Sequence, residues 1–593
     1  MLEQRNLSVL DRKNLFFMKS SLSQKCEGFN LLKFEHRLLR VGECLLLCCL
    51  LFKSLSEKQN QGATKRSFVF LSFHCKSRPR LLYCTQINRQ QVCTYPEQNG
   101  TLALSRCIFS LQKGGIDMKC YTQEEIRQAV QTIADAYLLM YETMRDQKTV
   151  TIADDTVIQK LRKMGFPRQG RPLDNVVSEM LEDVCTNQAL LQHPRFFAFV
   201  PSPASPLSWV GDVLTDAYNP HGGTWMESSA ASCLEQETIE WLCQQAGYPQ
   251  TAGGLFVSGG SIANLTALAA ARHAMLTETE YSSGVAYLSE QAHFSILKAL
   301  RIKGLTREQI HMIPCDDSLR MDALQLEQAI LQDEKAGKKP FLVVATAGTT
   351  NTGCIDPLSQ IANICSSHGL WFHVDGAYGA SALVSKKYRH LLEDVARADS
   401  LVWDAHKWLF QTYACSTVLF RDRKYLAAFY SSDPEYLQDA AAENGEINYW
   451  EWGIELTRPA RSLKLWLTLQ TLGTDQISDM VTHSIDLAQQ TESMLRNQPE
   501  WEVVTPAQLA IVNFRYAPQG LSPQQQDELN TAISQRMMED GFACVLTTQL
   551  KGQTVLRICS IHPETTEEDI RHTIQRMDHY ARTLKEERVP NCS

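Results

Sequence analysis

"FLVVATAGTTNTGCIDPLSQIANICSSHGLWFHVD" (residues 341–375) decides how the chain is to be folded. Its first six residues are an uninterrupted apolar run, too short for a helix and rich in β-branched residues. "LSQIANICSSHG" (358–369) has helical spacing and stops at a glycine, and "LWFHVD" (370–375) is apolar again. Short apolar runs separated by helices predict parallel or mixed strands covered on both faces. The same grain extends outward on both sides. "GLFV" (254–257), the turn "SGGS" (258–261) and the alanine-rich "IANLTALAAARHAML" (262–276) precede it. "SLVWD" (400–404) and "CSTVLF" (415–420) follow. Ligands of such sheets bind at the carboxyl ends of the strands. Those ends are Ser258–Ser261, Thr346–Thr350, Asp375 and Asp404–Lys407, the polar, titratable and glycine-rich places of the segment.

After about residue 475 the pattern changes. Helices over 522–540 and 565–587 alternate with the strands "AIVNFRYA" (510–517), "ACVLTT" (543–548) and "TVLRICSI" (554–561), predicting a smaller α+β domain. Before the sheet, "YTQEEIRQAVQTIADAYLLMYETMRDQ" (121–147) turns helical. Thr122 is placed to cap it with Glu125 three residues on, and apolar positions recur at Ile126, Val130, Ile133, Tyr137 and Met140. A second helical stretch is expected near 174–191.

Residues 1–118 differ in composition. They carry 18 lysines and arginines against 8 acids, whereas residues 119–593 carry 40 against 58. Eight of the 19 cysteines also fall in this head. It shows neither a sustained helical period nor a hairpin signal, and its five early acids (Glu3, Asp11, Glu27, Glu35, Glu43) are too many for a good transit peptide. It is expected to be a disordered or spurious extension, with Met118 as a working start. The expected organisation is therefore an unassigned basic head (1–118), an N-terminal helical segment (119–200), a large domain (201–475) and a small C-terminal domain (476–593).

Several classes are disfavoured. The acidic body and the dispersed basic charges of the head argue against nucleic acid as a partner. The longest apolar run, "CLLLCCLLF" (44–52), is about half a membrane span, so no membrane partner is expected. The cysteines lack zinc or disulfide spacing and read as reduced thiols of a cytoplasmic protein, with no metal.

"DAHKWLF" (404–410) sets Lys407 between the apolar flanks "SLVW" and "WLF". A buried amine either pairs or loses its proton and becomes a nucleophile. Asp375 at a strand end can pair with a protonated heterocycle nitrogen. The glycines before Ser261 let backbone approach a phosphate at a helix start, and His293 in "EQAHFSILKAL" adds a flat ring. An amine, a pyridinium partner, a phosphate cradle and a stacking ring together are what pyridoxal 5'-phosphate bound as an imine requires.

"HPRFF" (193–197), "GGSIAN" (259–264), "AHFSILKA" (292–299), "TAGTTNTGCIDPL" (346–358), "WFHVDGAYG" (371–379) and "DAHKWL" (404–409) resemble, in order and spacing, the group II pyridoxal-phosphate-dependent amino acid decarboxylases of fold type I. The resemblance covers about residues 120–585. It implies the type I fold, a mostly parallel mixed sheet with helices on both faces and a smaller α+β domain, working as a homodimer with shared active sites. It implies roles by motif. Lys407 would form the imine, with His406 beside the phosphate. Asp375 would keep the ring nitrogen protonated, Ala377 would lie against the ring and His293 would stack on its other face. Gly260 and Ser261 would bind phosphate, and Thr350 would lie near the ring and the substrate carboxylate. Asp404 stands where relatives often have asparagine, so an amide donor to phosphate is missing there. Tyr449, in "AAAENGEINYWEWGIELTRPARSLKLW" (440–466), would be the loop acid that returns a proton to the substrate carbon.

The expected reaction is decarboxylation of an aromatic L-amino acid to the arylalkylamine and CO2. Tryptophan and phenylalanine are favoured and tyrosine is possible. "HPRFFAFVPSPASP" (193–206) would line the substrate pocket, with Phe199 supplying a ring and Ser202 the one hydroxyl. A second carboxylate buried there would go unpaired. The alternatives are an acidic or diamino substrate (glutamate, cysteine sulfinate, 2,4-diaminobutyrate) or, from other classes, an aminotransferase, a desulfurase or a non-catalytic relative.

Overall fold

The computed structural model describes residues 69–73, 80–84, 121–431 and 446–588. The chain divides into two units, Met1–Cys120 and Tyr121–Ser593, two residues from the boundary expected from charge. In the first unit β1 (Val69–Phe73) pairs antiparallel with β2 (Arg80–Cys84), although this head carries no hairpin signal in its residues. Met118, and nearly all of the expected extension, lie outside the described residues.

The second unit opens with α1 (Gln123–Glu142), where Thr122 and Glu125 form the expected capping box. Ile126, Val130 and Ile133 stay 42–56% exposed among the described residues, and no residue of α1 is buried. The helix expected near 174–191 is shorter, Leu173–Met180, loosening into a wider turn at Leu181–Cys185. Next come α2 (Pro206–Tyr218), capped by Ser205 with proline at its first turn, and α3 (Trp225–Gln245), capped by Thr224.

The central sheet has seven strands in the order β3-β9-β8-β7-β6-β4-β5. They are β3 (Gly253–Val257), β4 (Gly284–Ser289), β5 (Ile310–Ile313), β6 (Lys339–Thr346), β7 (Trp371–Asp375), β8 (Ser400–Trp403) and β9 (Ser416–Phe420). β5, β4, β6, β7 and β8 run parallel, and β9 is antiparallel to both β8 and β3. Six strands therefore share one direction and β9 alone is reversed. Helices α4 (Gly260–Met275), α5 (Phe294–Ile302), α6 (Ala323–Lys335) and α7 (Leu358–His368) make the crossovers. Gly369 ends α7 in the left-handed region at φ 63°, as expected of a glycine at a helix stop. Both sheet faces are covered: β3, β4, β7, β8 and β9 are buried throughout, and β6 in all but its first residue. Strands buried on both faces read as continuous apolar runs, which is why 341–346 was legible.

α8 (Ser462–Arg496) leads out of the sheet layer and breaks at Gly473 (φ 78°), close to the expected change of grain at 475. Beyond it lies a four-stranded antiparallel sheet, β10 (Trp501–Gln508), β11 (Ile511–Tyr516), β13 (Gln553–Cys559) and β12 (Leu546–Leu550), in the order β10-β11-β13-β12. It carries α9 (Pro523–Asp540) and α10 (Glu567–Arg588).

One buried ion pair ties α3 to the sheet. Glu235 and Arg458 are each 1% exposed, with Arg458 Nη2 2.6 Å from Glu235 Oε1. The Phe256 N–H donates to the same oxygen at 3.0 Å, and Arg458 donates to the carbonyls of Gly222 and Phe256. Breaking such a pair leaves an uncompensated buried charge, whereas removing both charges is often near neutral. Glu235→Leu is expected to cost about 3–5 kcal/mol, read as a lowered denaturant midpoint. Adding Arg458→Met should recover more than half of the loss.

Candidate active site

The carboxyl ends of the six co-directional strands share one edge of the sheet. Reversal of β9 brings its leading residues, Tyr413 and Ala414, to that edge as well. A cavity of about 430 Å³ opens there, lined by Ser258–Ile262 after β3, His293 after β4, Thr346, Gly348 and Thr350 after β6, Asp375, Ala377 and Tyr378 after β7, and Asp404, His406 and Lys407 after β8. Every cofactor-binding position expected from the sequence therefore lines one space.

Lys407 sits on the short helix Ala405–Trp408, anchored by the fully buried Trp403, Trp408, Leu409 and Phe410. Its side chain stays 25% exposed, and its Nζ lies 2.9 Å from Asp404 Oδ2. Burial works against its charge, but the adjacent Asp404 and the nearby Asp375 outweigh this and raise its pKa above the ordinary lysine value. The amine is thus a paired ammonium in the free protein. For Asp404, burial disfavours the anion, yet Lys407 and then His406 pull its pKa below the usual aspartate value. Burial lowers the pKa of both His293 and His406, so these imidazoles are neutral at pH 7. His406 is fixed by Ser416 Oγ and the Cys415 carbonyl, each 3.1 Å from its Nδ1.

Asp375 ends β7 buried, its Oδ1 accepting from the Ala377 N–H at 3.2 Å and its Oδ2 from Asn264 Nδ2 at 3.2 Å. His293 caps α5, with Ser295 N donating to its Nδ1 at 3.3 Å. Helix α4 starts from Gly259 with no side-chain cap, so its first N–H groups are free to meet an anion in the cavity. Gly260 cannot be larger: a Cβ there would come 2.8 Å from Asp404 Oδ2.

Three expected site residues are elsewhere. Tyr449 is 1% exposed and belongs to the apolar core, edge-on to Trp452 with the Arg458 guanidinium 4.9 Å from its ring centre. Burial, then Glu235, raise its pKa well above the ordinary tyrosine value, so it is no accessible acid in this arrangement. The start of its loop, 440–445, lies outside the described residues. Phe199 is outside the cavity, largely exposed, with left-handed backbone at φ 54° and its carbonyl held by Arg557. Ser202 is buried, and its hydroxyl donates to the Gln411 carbonyl at 3.1 Å.

Sequence reasoning missed Tyr413, Tyr378, Asn264 and Ser295, all on the cavity wall. Tyr413 could have been found, since it lies in the same strand-end loop as Lys407. Tyr378 stacks on Trp408 with ring centres 5.1 Å apart, and its hydroxyl accepts from the Ala510 N–H at 2.9 Å.

The residues fit pyridoxal phosphate. An amine stands beside a carboxylate, a second carboxylate is held by an amide, and an uncapped glycine-led helix start faces the same space. Asp404 Oδ1 is buried and has no hydrogen-bond partner, an acceptor left open to a donor. Lys407 and His406, Asp375, His293, Thr350, Ala377, Gly260 and Ser261 would hold the group. The aldehyde would go to the amine and the phosphate to the helix start.

Comparison with known proteins agrees. The conserved domain of pyridoxal-dependent decarboxylases matches residues 157–517. An aromatic-L-amino-acid decarboxylase of Bacillus atrophaeus is 39% identical over 75% of this chain and 93% of its own. A phenylacetaldehyde synthase of Arabidopsis thaliana is 31% identical over 76% of this chain and 94% of its own. The crystal structure of an Oryza sativa enzyme with pyridoxal phosphate and tryptamine superposes with a TM-score of 0.75 at 27% identity, covering 79% of this chain and 99% of that one.

Proposed function

The chain belongs to the pyridoxal-dependent decarboxylase family, and from that premise we propose that this carboxy-lyase converts an aromatic L-amino acid to its arylalkylamine and CO2, with tryptophan or phenylalanine as the favoured substrate. The carrying observation is the charge inventory of the cavity. Its described cationic residues are Lys407, His293 and His406. Lys407 is engaged with Asp404, and burial keeps both histidines neutral. No spare cation is left to pair with the second carboxylate of glutamate or cysteine sulfinate, which would be costly to bury alone. Both carboxylates are likewise committed, Asp404 to Lys407 and Asp375 to Asn264, which disfavours a diamino substrate. Tyr413, Tyr378 and Ile262 offer apolar wall instead.

Bound pyridoxal phosphate supplies an aldehyde to carry the substrate's amino group and a protonated ring that accepts the electrons left by departing CO2. Asp375 would hold the proton on the ring nitrogen, its Oδ2 oriented by Asn264. The uncapped start of α4 would hold the phosphate. His293, neutral, would add a flat ring without adding charge. Lys407 Nζ would hold the aldehyde until the substrate amine takes its place, and would then carry a proton beside Asp404 Oδ2. With Tyr449 buried, Lys407 Nζ and the Tyr413 hydroxyl are two groups, among the described residues of the cavity, placed to return a proton to the substrate carbon.

The test is a panel of aromatic, acidic and basic L-amino acids, with CO2, amine and aldehyde each measured. Tryptophan or phenylalanine should give CO2 and amine in equal amounts. Turnover of glutamate or cysteine sulfinate in preference to them would overturn the substrate assignment. Aldehyde in place of amine would replace the reaction assignment.

Asp404 gives a pH prediction. A raised Lys407 pKa leaves little free amine at neutral pH, so reconstitution with the cofactor aldehyde should quicken as pH rises. Asp404→Asn removes the main stabiliser of the ammonium. Each unit by which the Lys407 pKa falls gives about ten times more free amine, so the variant should reconstitute faster at pH 7 in stopped-flow absorbance.

A homodimer with active sites near the subunit boundary suits the uncovered apolar stripe on α1 and the exposed Val210, Val213, Leu214 and Tyr218 on α2. Light scattering on the purified chain tests it. A cytoplasmic location suits the nine described cysteines of the second unit, all free thiols and six of them buried. No helix of the described residues is long and apolar enough to cross a membrane.

A further inference from the structure

We propose that Asn264 is a positioning residue that orients both ring-facing groups of the cofactor site, Asp375 and His293, and that the tautomer of the buried His373 holds Asn264 in the direction in which it works. This rests on the reading of Asp375 and His293 as contacts of the pyridoxal ring.

The observations are an unbroken set of hydrogen bonds among buried side chains. Asn264 on α4 is 1% exposed, and its Nδ2 donates to Asp375 Oδ2 at 3.2 Å and to Ser295 Oγ at 3.0 Å. Its Oδ1 lies 3.0 Å from His373 Nε2. His373 Nδ1 lies 2.8 Å from Ser400 Oγ, and Trp371 Nε1 donates to that same oxygen at 2.9 Å. Ser295 Oγ lies 2.8 Å from His293 Nδ1. Apart from His293, Asp375 and the single contact of Asn264 to Asp375, none of these residues has a role in the chemistry above.

The protons in this set can be assigned by elimination. Trp371 Nε1 only donates, so Ser400 Oγ accepts from it and keeps both a proton and a second lone pair for His373 Nδ1; the Asp375 carboxylate, which only accepts, decides between them by drawing the Asn264 N–H groups to its side and turning the Asn264 oxygen to His373 Nε2. His373 Nδ1 is then the bare nitrogen and Nε2 carries the hydrogen. Nε2–H in turn holds the Asn264 oxygen on that side and its two N–H groups on the other. One N–H meets the Asp375 carboxylate, and a hydrogen bond to the charged form favours that form. The second N–H meets Ser295 Oγ, which is left to donate to His293 Nδ1. The tautomer of His293 follows, with its proton on Nε2. The reverse orientation of Asn264 would set its oxygen against the Asp375 carboxylate, two acceptors face to face. Burial lowers the His373 pKa to about 3, so the ring stays neutral and the assignment holds at working pH. The chain begins at an indole that cannot reverse and ends at the two groups that touch the ring.

The experiment uses the full chain and pyridoxal phosphate. Nitrogen-15 histidine spectra of the cofactor-free protein should show His373, identified by its absence in His373→Gln, as a neutral Nε2–H tautomer. An Nδ1–H tautomer overturns the relay. Absorbance titration should show that Asn264→Leu and His373→Leu each weaken cofactor binding by about tenfold, the scale of a lost hydrogen bond to a charged group. His373→Gln keeps an N–H to offer the Asn264 oxygen and should bind within about threefold of the parent. Equal losses in His373→Gln and His373→Leu would make the site a packing site and overturn the proposal, as would unchanged binding in Asn264→Leu. A parent protein that takes up no pyridoxal phosphate overturns the underlying reading instead, which separates the two failures.

Discussion

Lys407→Ala is expected to lower CO2 release by on the order of a thousandfold or more, the range associated with losing a positioned nucleophile and proton carrier together. Borohydride should no longer fix cofactor to the 404–410 peptide. The loss has two physical parts. The first is chemical, because no other amine lines the cavity among the described residues. The second is electrostatic: Asp404, 2% exposed, loses the cation 2.9 Å from its Oδ2 and keeps an orphaned Oδ1. Its carboxyl pKa should then rise, since burial alone disfavours the anion. Lys407→Arg separates the parts. It keeps a charge beside Asp404 and so should keep the thermal stability of the parent, yet it cannot form the imine and should be as inactive as alanine. Substantial turnover by either variant would end the assignment of Lys407.

Asp375→Asn is expected to reduce turnover about 10²–10³-fold, the scale of removing one preorganised electrostatic contact to developing charge. The change is nearly isosteric, so the cavity persists and the effect is electronic. Without the carboxylate nothing in the cavity favours a proton on the ring nitrogen, and the electrons released with CO2 have a weaker sink. The loss should fall on kcat, with little change in KM, because the contact matters most once charge has moved. Asp375→Asn should also alter the visible absorbance of the bound cofactor while Asp375→Glu alters it less. A kcat within a few-fold of the parent would remove Asp375 from this role.

The parts legible in the sequence share one property: their signal is local. β6 and β7 announce themselves because both faces are buried, so they are apolar without a break. Lys407, Asp375 and Gly260 were readable because each lies at the end of such a run, and His293 because it precedes a helical pattern. β5 is only four residues long, with its middle partly solvated, and β10 buries residues irregularly and includes Pro506; neither stands out from loop. Asn264, Ser295 and His373 were silent for another reason. The contacts that join Asn264 to Ser295, His373 and Asp375 span 31 to 111 residues, so they exist only once strand register is fixed. Tyr449, Phe199 and Ser202 show the converse. Motif order put their segments in the right neighbourhood, but long-range contacts decided where each ended: Arg458 beside the Tyr449 ring, Arg557 on the Phe199 carbonyl and the Gln411 carbonyl on the Ser202 hydroxyl.

The single reversed strand has a practical corollary. Because β9 returns antiparallel beside β8, one ten-residue stretch, 404 to 413, delivers both the reactive amine and a wall tyrosine to the same rim. Substrate preference could then be retuned by grafting the outer half of that turn, leaving Lys407 and the carboxylate on β7 in place. A parallel β9 would have sent the chain to the far side of the sheet and scattered these features among separate loops.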